Sequence, residues 1–341
     1  MKLCSKLTLL VAALAVSLPA TGEADSADIY WIDVEGGAAT LVVTEAGETV
    51  LMDSGWAGFD DRDAKRIELV AEVAGVERID YLITSHFHRD HAGGLAALAR
   101  RMEIGQFLDH GDSVQKDSGR GRELWEGYLA TVGERRRIVT PGETLPLRGV
   151  ELIIVAAHSR FLAEPLAGGG ANPLCEDFVP HPEDEGENGK SIGYLLEVGD
   201  FRFVNLGDLS WNFQGQMACP VNLLGKIDLY QVTHHGVRDD VVPQQMWALE
   251  PAVAVMNNGP TKGAGIEAVE TVMASPGLED LWQVHRAVEN DDDHNTDERL
   301  TANVADTEGC QAHWLHARVR SDGSYTITNS RNGYSKTYRA R

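Results

Sequence analysis

Three imidazoles and a carboxylate lie within six residues of one another in the segment His86-Phe-His88-Arg-Asp90-His91. Shortly before it, residues 81–84 form an apolar, β-branched run that predicts a buried strand. On an extended backbone, side chains two apart point to the same side, so His86 and His88 can share one cation while the residue between them faces the core. Asp90 and His91 follow where the chain turns toward a helix, and that turn can direct both side chains to a second cation.

Histidine nitrogen and carboxylate oxygen suit zinc and similar divalent cations. The alternative is that these residues are ordinary surface or helix-capping groups. A chain of ordinary composition would contain this pattern only about once in a thousand cases, which disfavours that alternative. The segment therefore predicts a metal site.

Other predicted strands also end in polar groups of this kind. Asp53 follows a strand over 49–52, Asp208 follows one over 201–206, and His234 with His235 follows one over 227–233. Taken alone, an aspartate before Ser-Gly is more often a turn former. Ligands from different strands converge only if the strand ends share one edge, as two stacked sheets with outer helices provide.

With its His-x-His-x-Asp-His element, the chain resembles the metallo-β-lactamase superfamily over nearly its whole length after residue 24. The resemblance implies an α/β fold, an αββα sandwich of two mixed β-sheets flanked by helices, in a single domain spanning 25–341. It also implies a site for two divalent metal ions at the sheet edges, with zinc expected ahead of manganese or iron. In the superfamily, Asp208 would bridge the two metals and Asp53 would support the metal loop by hydrogen bonding.

The simplest assignment of ligands has two groups that share Asp208. It gives one cation to His86 and His88, and the other to Asp90, His91 and His235. His235 is preferred over His234 because the superfamily's last ligand is typically followed by a small residue, here Gly236. His234 would then bind substrate or supply a proton to the leaving group, and Asp90 and His234 are the predicted catalytic residues.

The chain departs from the superfamily pattern because it lacks the usual histidine between the metal loop and Asp208. The blocks 187–191, 206–208 and 233–236 resemble the competence-protein branch, which lacks that histidine and has an Asn-Ser pattern there, so Ser191 is a candidate pocket residue. His158 ends a predicted strand and is an alternative substitute ligand. His110 also ends a strand, where it has either a structural role or a place in the pocket.

Residues 1–24 read as a signal peptide, with Lys2 and Lys6 before an apolar core and a small-residue region near Gly22. We therefore expect an exported protein, periplasmic or secreted, with no membrane span after the signal is removed. Export and three remaining cysteines predict one disulfide, for which Cys175 with Cys219 is favoured.

The formal net charge is −22 at pH 7. Nucleic-acid binding needs clustered Lys and Arg, so this charge argues against it and favours a small neutral or cationic substrate. The oligomeric state is not indicated. A long irregular stretch over 162–190 could cover the pocket, since loops of this length are commonly functional or mobile.

No Ser-His-Asp or Cys-His signature competes with the metal site. The sequence therefore predicts a metal-dependent hydrolase that uses a hydroxide held by two metals on a small ester or phosphodiester. One alternative is hydrolysis of an amide or lactone, including β-lactams. Another is a metal-bearing binding module without catalytic activity.

Overall fold

The computed structural model describes residues 26–238, 240–306 and 309–341. The predicted signal peptide lies outside the described residues. None of the helices in the described ranges is long and apolar enough to cross a membrane.

The strands, in chain order, are β1 (Ser26–Trp31), β2 (Thr40–Thr44), β3 (Thr49–Met52), β4 (Arg78–Ile83), β5 (Glu103–Asp109), β6 (Arg136–Ile138), β7 (Thr144–Leu145), β8 (Glu151–Ala157), β9 (Arg160–Phe161), β10 (Gly170–Ala171), β11 (Gly193–Val198), β12 (Phe201–Asn205), β13 (Val221–Asn222), β14 (Leu229–Gln231), β15 (Val253–Met256), β16 (Asp280–His285), β17 (Thr301–Asn303), β18 (Leu315–Arg320), β19 (Ser324–Asn329) and β20 (Ser335–Arg339). The helices are α1 (Arg62–Val73), α2 (Arg89–Ala92), α3 (Leu95–Arg101), α4 (Gly119–Val132), α5 (Trp211–Ala218), α6 (Pro243–Leu249) and α7 (Ile266–Met273).

Two large mixed sheets contain most of these strands. The first has the order β20-β19-β18-β1-β2-β3-β4-β5-β6, and its strands from β3 to β6 are parallel. The second has the order β17-β16-β15-β14-β12-β11-β8-β7, with β9 paired to β8, and its strands from β12 to β17 are parallel. A separate pair joins β10 to β13.

Alternating side chains explain the layering. In β2, Val42 belongs to the core between the two sheets, whereas Leu41 packs under the helices α1, α3 and α4. In β12, Phe203 faces the same central core and Val204 packs under α5, α6 and α7. Each sheet therefore buries both faces, one on the other sheet and one on helices, which confirms the predicted αββα sandwich.

At the C-terminus, β18, β19 and β20 form an antiparallel meander that buries Tyr338. One sequence-based assignment needs correction. The stretch 162–190 is more ordered than predicted, because it contains β10 and short 3-10 turns and carries Cys175 of the Cys175–Cys219 disulfide. That disulfide is the predicted pairing, with the two Cα atoms 5.5 Å apart.

Candidate metal centre

The metal loop begins where β4 ends. His88 is still extended, with φ −91° and ψ 156°, and the four-residue helix α2 starts at the next residue. Directly after it, the backbone of Gly94 lies against Ser54, where a Cβ atom would be 2.0 Å from the carbonyl oxygen. Only glycine permits this approach, so the loop is held tightly against the end of β3.

The possible metal ligands form two groups at this edge. The more compact group consists of four ligand atoms. The Nε2 of His91 lies 3.2 Å from the Nε2 of His235, 3.0 Å from the Oδ2 of Asp208 and 3.3 Å from the Oδ2 of Asp90. The Nε2 of His235 is 3.4 Å from Asp208 and 3.6 Å from Asp90. All four side chains are buried, and their ligand atoms lie within 4.8 Å of one another.

The second group contains the other two histidines of the metal loop. The Nε2 of His86 lies 3.0 Å from the Nδ1 of His88 and 3.9 Å from the Oδ2 of Asp208. The ring of Phe87, between them, is buried against Trp125 and Tyr128 as the strand-like spacing predicts. One oxygen of Asp208 therefore faces both groups, in the arrangement expected of a bridging ligand.

Buried polar groups orient these imidazoles. The Nδ1 of His91 contacts the Oδ2 of Asp53 at 2.8 Å, and Asp53 also accepts bonds from the backbone N–H and hydroxyl of Ser85, both at 2.7 Å. The Oγ of Ser191 is 3.4 Å from the Nδ1 of His86. Asp53 and Ser191 therefore lie behind His91 and His86, in contact with the Nδ1 atoms of these histidines.

The electrostatics fit a cation-binding site. Burial alone would lower the pKa of His91, but the carboxylates of Asp208, Asp90 and Asp53 raise it well above its ordinary value. Burial would raise the pKa of Asp208, yet the imidazoles of His235 and His91 hold it well below its ordinary value. The carboxylates thus remain anionic and draw positive charge to this point, which a divalent cation can supply.

His234 and His235 do not lie on an extended backbone. Both adopt positive φ angles, 52° and 55°, in a 3-10 turn. As a result the Nε2 atoms of both residues come within 3.4 Å of the Oδ2 of Asp208. The two differ in exposure, since the His235 side chain is fully buried and the His234 side chain is 18% exposed.

Sequence reasoning missed two charged partners at this edge. Asp240 is paired with the Nδ1 of His234, and Lys262 is paired with Asp90. Asp240 is six residues beyond His234 in the same loop, and Lys262 follows the end of β15. Polar residues after neighbouring strand ends were the available signal for both.

The two remaining candidates lie away from the ligand groups. His110 is buried against Phe87, 5.0 Å between ring centroids, and its Nε2 is 3.3 Å from the Oε2 of Glu187. His158 is exposed and its ring lies 5.7 Å from that of His110. In the part of the chain that the structure describes, neither belongs to a cluster of possible metal ligands. The end of β5 turns His110 inward, so its predicted place in the pocket is not observed.

The donor set fits the implied metals. Nitrogen and oxygen ligands about 2.0–2.1 Å from a tetrahedral cation lie roughly 3.3 Å from one another. The spacings of 3.0–3.6 Å within the compact group match this value. These residues can therefore hold a divalent cation with little rearrangement.

Comparison with known proteins finds a family model. The model, described as the metallo-beta-lactamase superfamily, matches residues 32–171, which include the whole metal loop. This segment of the chain is similar to that superfamily. No comparison tests the resemblance to the competence-protein branch, which stays a prediction.

Two relatives carry the name UPF0173 metal-dependent hydrolase. The one from Cupriavidus taiwanensis is 24% identical and covers 56% of this chain and 59% of its own length. The one from Polynucleobacter asymbioticus is 26% identical, and the match covers 57% of this chain and 60% of the relative. The chain thus spans less than two thirds of the length of these relatives.

Solved structures that match the chain include the metallo-beta-lactamase fold protein YhfI from Bacillus subtilis. It is 12% identical with a TM-score of 0.44, and the match covers 75% of this chain and 95% of that one. A metallo-β-lactamase from Cronobacter sakazakii is 18% identical with a TM-score of 0.35, and the match covers 54% of this chain and 60% of that one.

Proposed function

We propose that this chain is an exported hydrolase that uses two divalent metal ions to cleave a small ester or phosphodiester. The observation that carries the proposal is the position of Asp208. Its Oδ2 lies within 3.9 Å of the Nε2 atoms of His86, His91 and His235, which belong to two ligand groups. A carboxylate oxygen between two such groups supports a site for a pair of cations.

His86, His88, Asp90, His91, Asp208 and His235 would hold the two cations, which would supply Lewis-acid activation of a water and stabilisation of negatively charged oxygens. His86 and His91 are buried and contact Ser191 and Asp53 from behind, so their ring orientations are fixed before a metal binds. Export rests on the sequence of residues 1–24, and zinc is the metal we expect first.

His234 is suited to deliver a proton to the leaving group. Its Nε2 faces the cluster, and its side chain is partly exposed, whereas His86, His91 and His235 are fully buried. Burial alone would lower the pKa of His234, but the carboxylates of Asp208 and Asp240 raise it. Asp240 is paired with Nδ1, so in the protonated imidazole the second N–H, on Nε2, points toward the cluster.

We assign the substrate to a cavity of about 770 Å³, which is lined by none of the metal ligands themselves. Two of its lining residues, Val114 and Lys190, are close in sequence to Gln115 and Asn188, whose side chains contact His88 and His234. Much of the opposite wall comes from the segment 178–185 and combines aromatic with acidic side chains: Phe178, His181, Glu183, Asp184 and Glu185. This lining favours a small substrate that is neutral or carries a positive group.

The test compares metal-stripped protein with zinc- and manganese-loaded protein on a nitrophenyl phosphodiester, a nitrophenyl ester and a chromogenic β-lactam. We expect turnover of an ester or phosphodiester only after loading. Turnover of the β-lactam alone would replace the proposed substrate class with amides. Metal binding without turnover of any of the three would contradict catalysis and favour a binding module.

A further inference from the structure

Another cluster of possible metal ligands lies at the same edge of the fold but outside the metal centre described above. It consists of Asp33, His285 and Cys310. Asp33 follows β1 of the first sheet, His285 ends β16 of the second sheet, and Cys310 comes from the loop after β17. Asp33 and His285 are fully buried and Cys310 is partly buried.

The contact between His285 and Asp33 is long for a hydrogen bond. Its Nε2 lies 3.4 Å from the Oδ2 of Asp33 and 3.5 Å from the Sγ of Cys310, while its Nδ1 has no hydrogen-bond partner among the described residues. A buried imidazole held only by such contacts is poorly satisfied. The same imidazole is well placed if Nε2 coordinates an ion together with the other two groups.

The spacing agrees with a tetrahedral zinc ion. With Zn–S of about 2.3 Å and Zn–N or Zn–O of about 2.0–2.1 Å, sulfur lies roughly 3.6 Å from its co-ligands and nitrogen roughly 3.3 Å from oxygen. Both contacts of His285 match these values. The Sγ of Cys310 is 2.9 Å from the Oδ2 of Asp33, where the thiol donates a hydrogen bond, and this distance would lengthen when the proton is replaced.

Neighbouring groups hold the three ligands in place. The backbone N–H of Ala312 donates to the Cys310 sulfur at 3.4 Å, and the backbone N–H of Glu35 donates to the other oxygen of Asp33 at 2.9 Å. The Oδ1 of Asn303 lies 3.7 Å from the sulfur, at the distance of a fourth ligand. Asn303 is itself fixed by bonds to the backbone of Val284 and His313.

The site is accessible from solvent. A cavity of about 190 Å³ is lined by Asn303, Cys310 and His313. A metal ion, and a water completing its coordination, can therefore reach the cluster without opening either sheet.

We propose that Asp33, His285 and Cys310 form a second, separate zinc site, with Asn303 or a water as the fourth ligand. Binding replaces the thiol proton, so that Cys–SH and Zn²⁺ give a Zn–thiolate and one released proton. The two anionic ligands balance the charge of the ion, and Arg66 stays paired with Asp33 from outside. The ion would join the two sheets through Asp33 and His285.

The competing explanation is a buried polar network around the ion pair of Arg66 and Asp33. Cobalt binding distinguishes the zinc site from a buried polar network, because only a thiolate ligand gives a sulfur-to-cobalt charge-transfer band. The catalytic-site ligands are histidine and aspartate, and Cys175 and Cys219 are joined in a disulfide. In full-length Cys4→Ser protein, such a band therefore reports on Cys310 alone.

We expect one thiolate band per chain when cobalt is added, and protection of Cys310 from alkylation by zinc. The band should vanish in Cys310→Ser, and cobalt affinity should fall about tenfold or more in His285→Gln and Asp33→Asn. His313→Gln is the matched control, since it lines the same cavity and should keep the band.

His86→Ala should also keep the band while losing metal from the catalytic site, so this result does not depend on the proposed hydrolase. The absence of both band and protection in Cys4→Ser protein would overturn the proposal. A band that persists unchanged in both His285→Gln and Asp33→Asn would overturn it too, because the thiol would then bind cobalt without the site.

Discussion

The Nδ1 of His91 lies 2.8 Å from the Oδ2 of Asp53, and both side chains are buried. This contact fixes which nitrogen of His91 faces the ligand cluster, because a protonated Nδ1 leaves Nε2 free for a metal. The same oxygen also accepts the hydroxyl of Ser85. A residue that touches no metal thus determines how the ligand is presented.

Asp53→Asn should therefore weaken metal binding by about 10–100-fold, the usual loss for a group that orients a ligand histidine. Metal affinity measured by competition with a chelator checks this. Asp109→Asn is the matched control, since Asp109 is also a buried aspartate at a strand end but pairs with Arg136 and Tyr128. Equal affinity in wild type and Asp53→Asn would contradict the role assigned to Asp53.

His234→Ala and His235→Ala should have different effects on metal content. His235→Ala should lose metal and activity together, because it removes a buried ligand. His234→Ala should keep its metal content and lose about 10²–10⁴ in rate, as expected for a missing general acid. Because the positive φ angles bring both rings to Asp208, metal counts on the two variants are decisive, and equal loss would make His234 a ligand.

Glu187 should contribute to stability in a pH-dependent way. Burial alone would raise its pKa, but hydrogen bonds from His110, Ser113 and the backbone of Phe87 lower it from 4.5 to about 2. A depressed carboxyl pKa stabilises the fold above the unfolded value, and this contribution is lost as pH falls from about 4.5 to about 2. The shift corresponds to about 3 kcal/mol at neutral pH.

Urea unfolding of metal-free wild type and Glu187→Gln at several pH values tests this. The difference in unfolding free energy should be largest near pH 7 and should shrink below pH 4.5. A difference that does not change with pH would show that Glu187 acts by packing alone.

The Cys175–Cys219 disulfide should stabilise the segment that forms the cavity wall. The bond closes a loop over 44 positions, for which a stabilisation of about 2–4 kcal/mol is typical. The double variant Cys175→Ser, Cys219→Ser should lose this amount and, because the segment 178–185 lines the cavity, should raise KM more than it lowers kcat. Peptide mapping without reductant checks the bond itself, and free thiols at both positions would contradict it.

Part of the ligand set followed from local sequence, whereas the αββα fold was implied by the family resemblance. A strand repeats every two residues, so the spacing of His86 and His88 placed both rings on one side. The polar residues after successive strands indicated a shared edge, and Asp53, Asp208 and His235 are found there.

The rest depends on contacts that no local pattern encodes. Two successive histidines with positive φ are unusual, and only packing in the folded chain places His234 and His235 that way. Asp33, His285 and Cys310 meet only because β1 and β16 end at the same edge of two different sheets. The partners of Lys262 and Glu187 could not be predicted either, since each residue lies far in sequence from the groups it contacts.

The most direct test of the central claim is metal content measured by mass spectrometry, combined with activity. To count the catalytic site alone, the proteins should carry Cys310→Ser. We predict two divalent ions per chain without further substitution, loss of at least one ion and of turnover in His86→Ala and His88→Ala, and no loss in His110→Ala. Unchanged metal content and unchanged rate in both His86→Ala and His88→Ala would contradict the account.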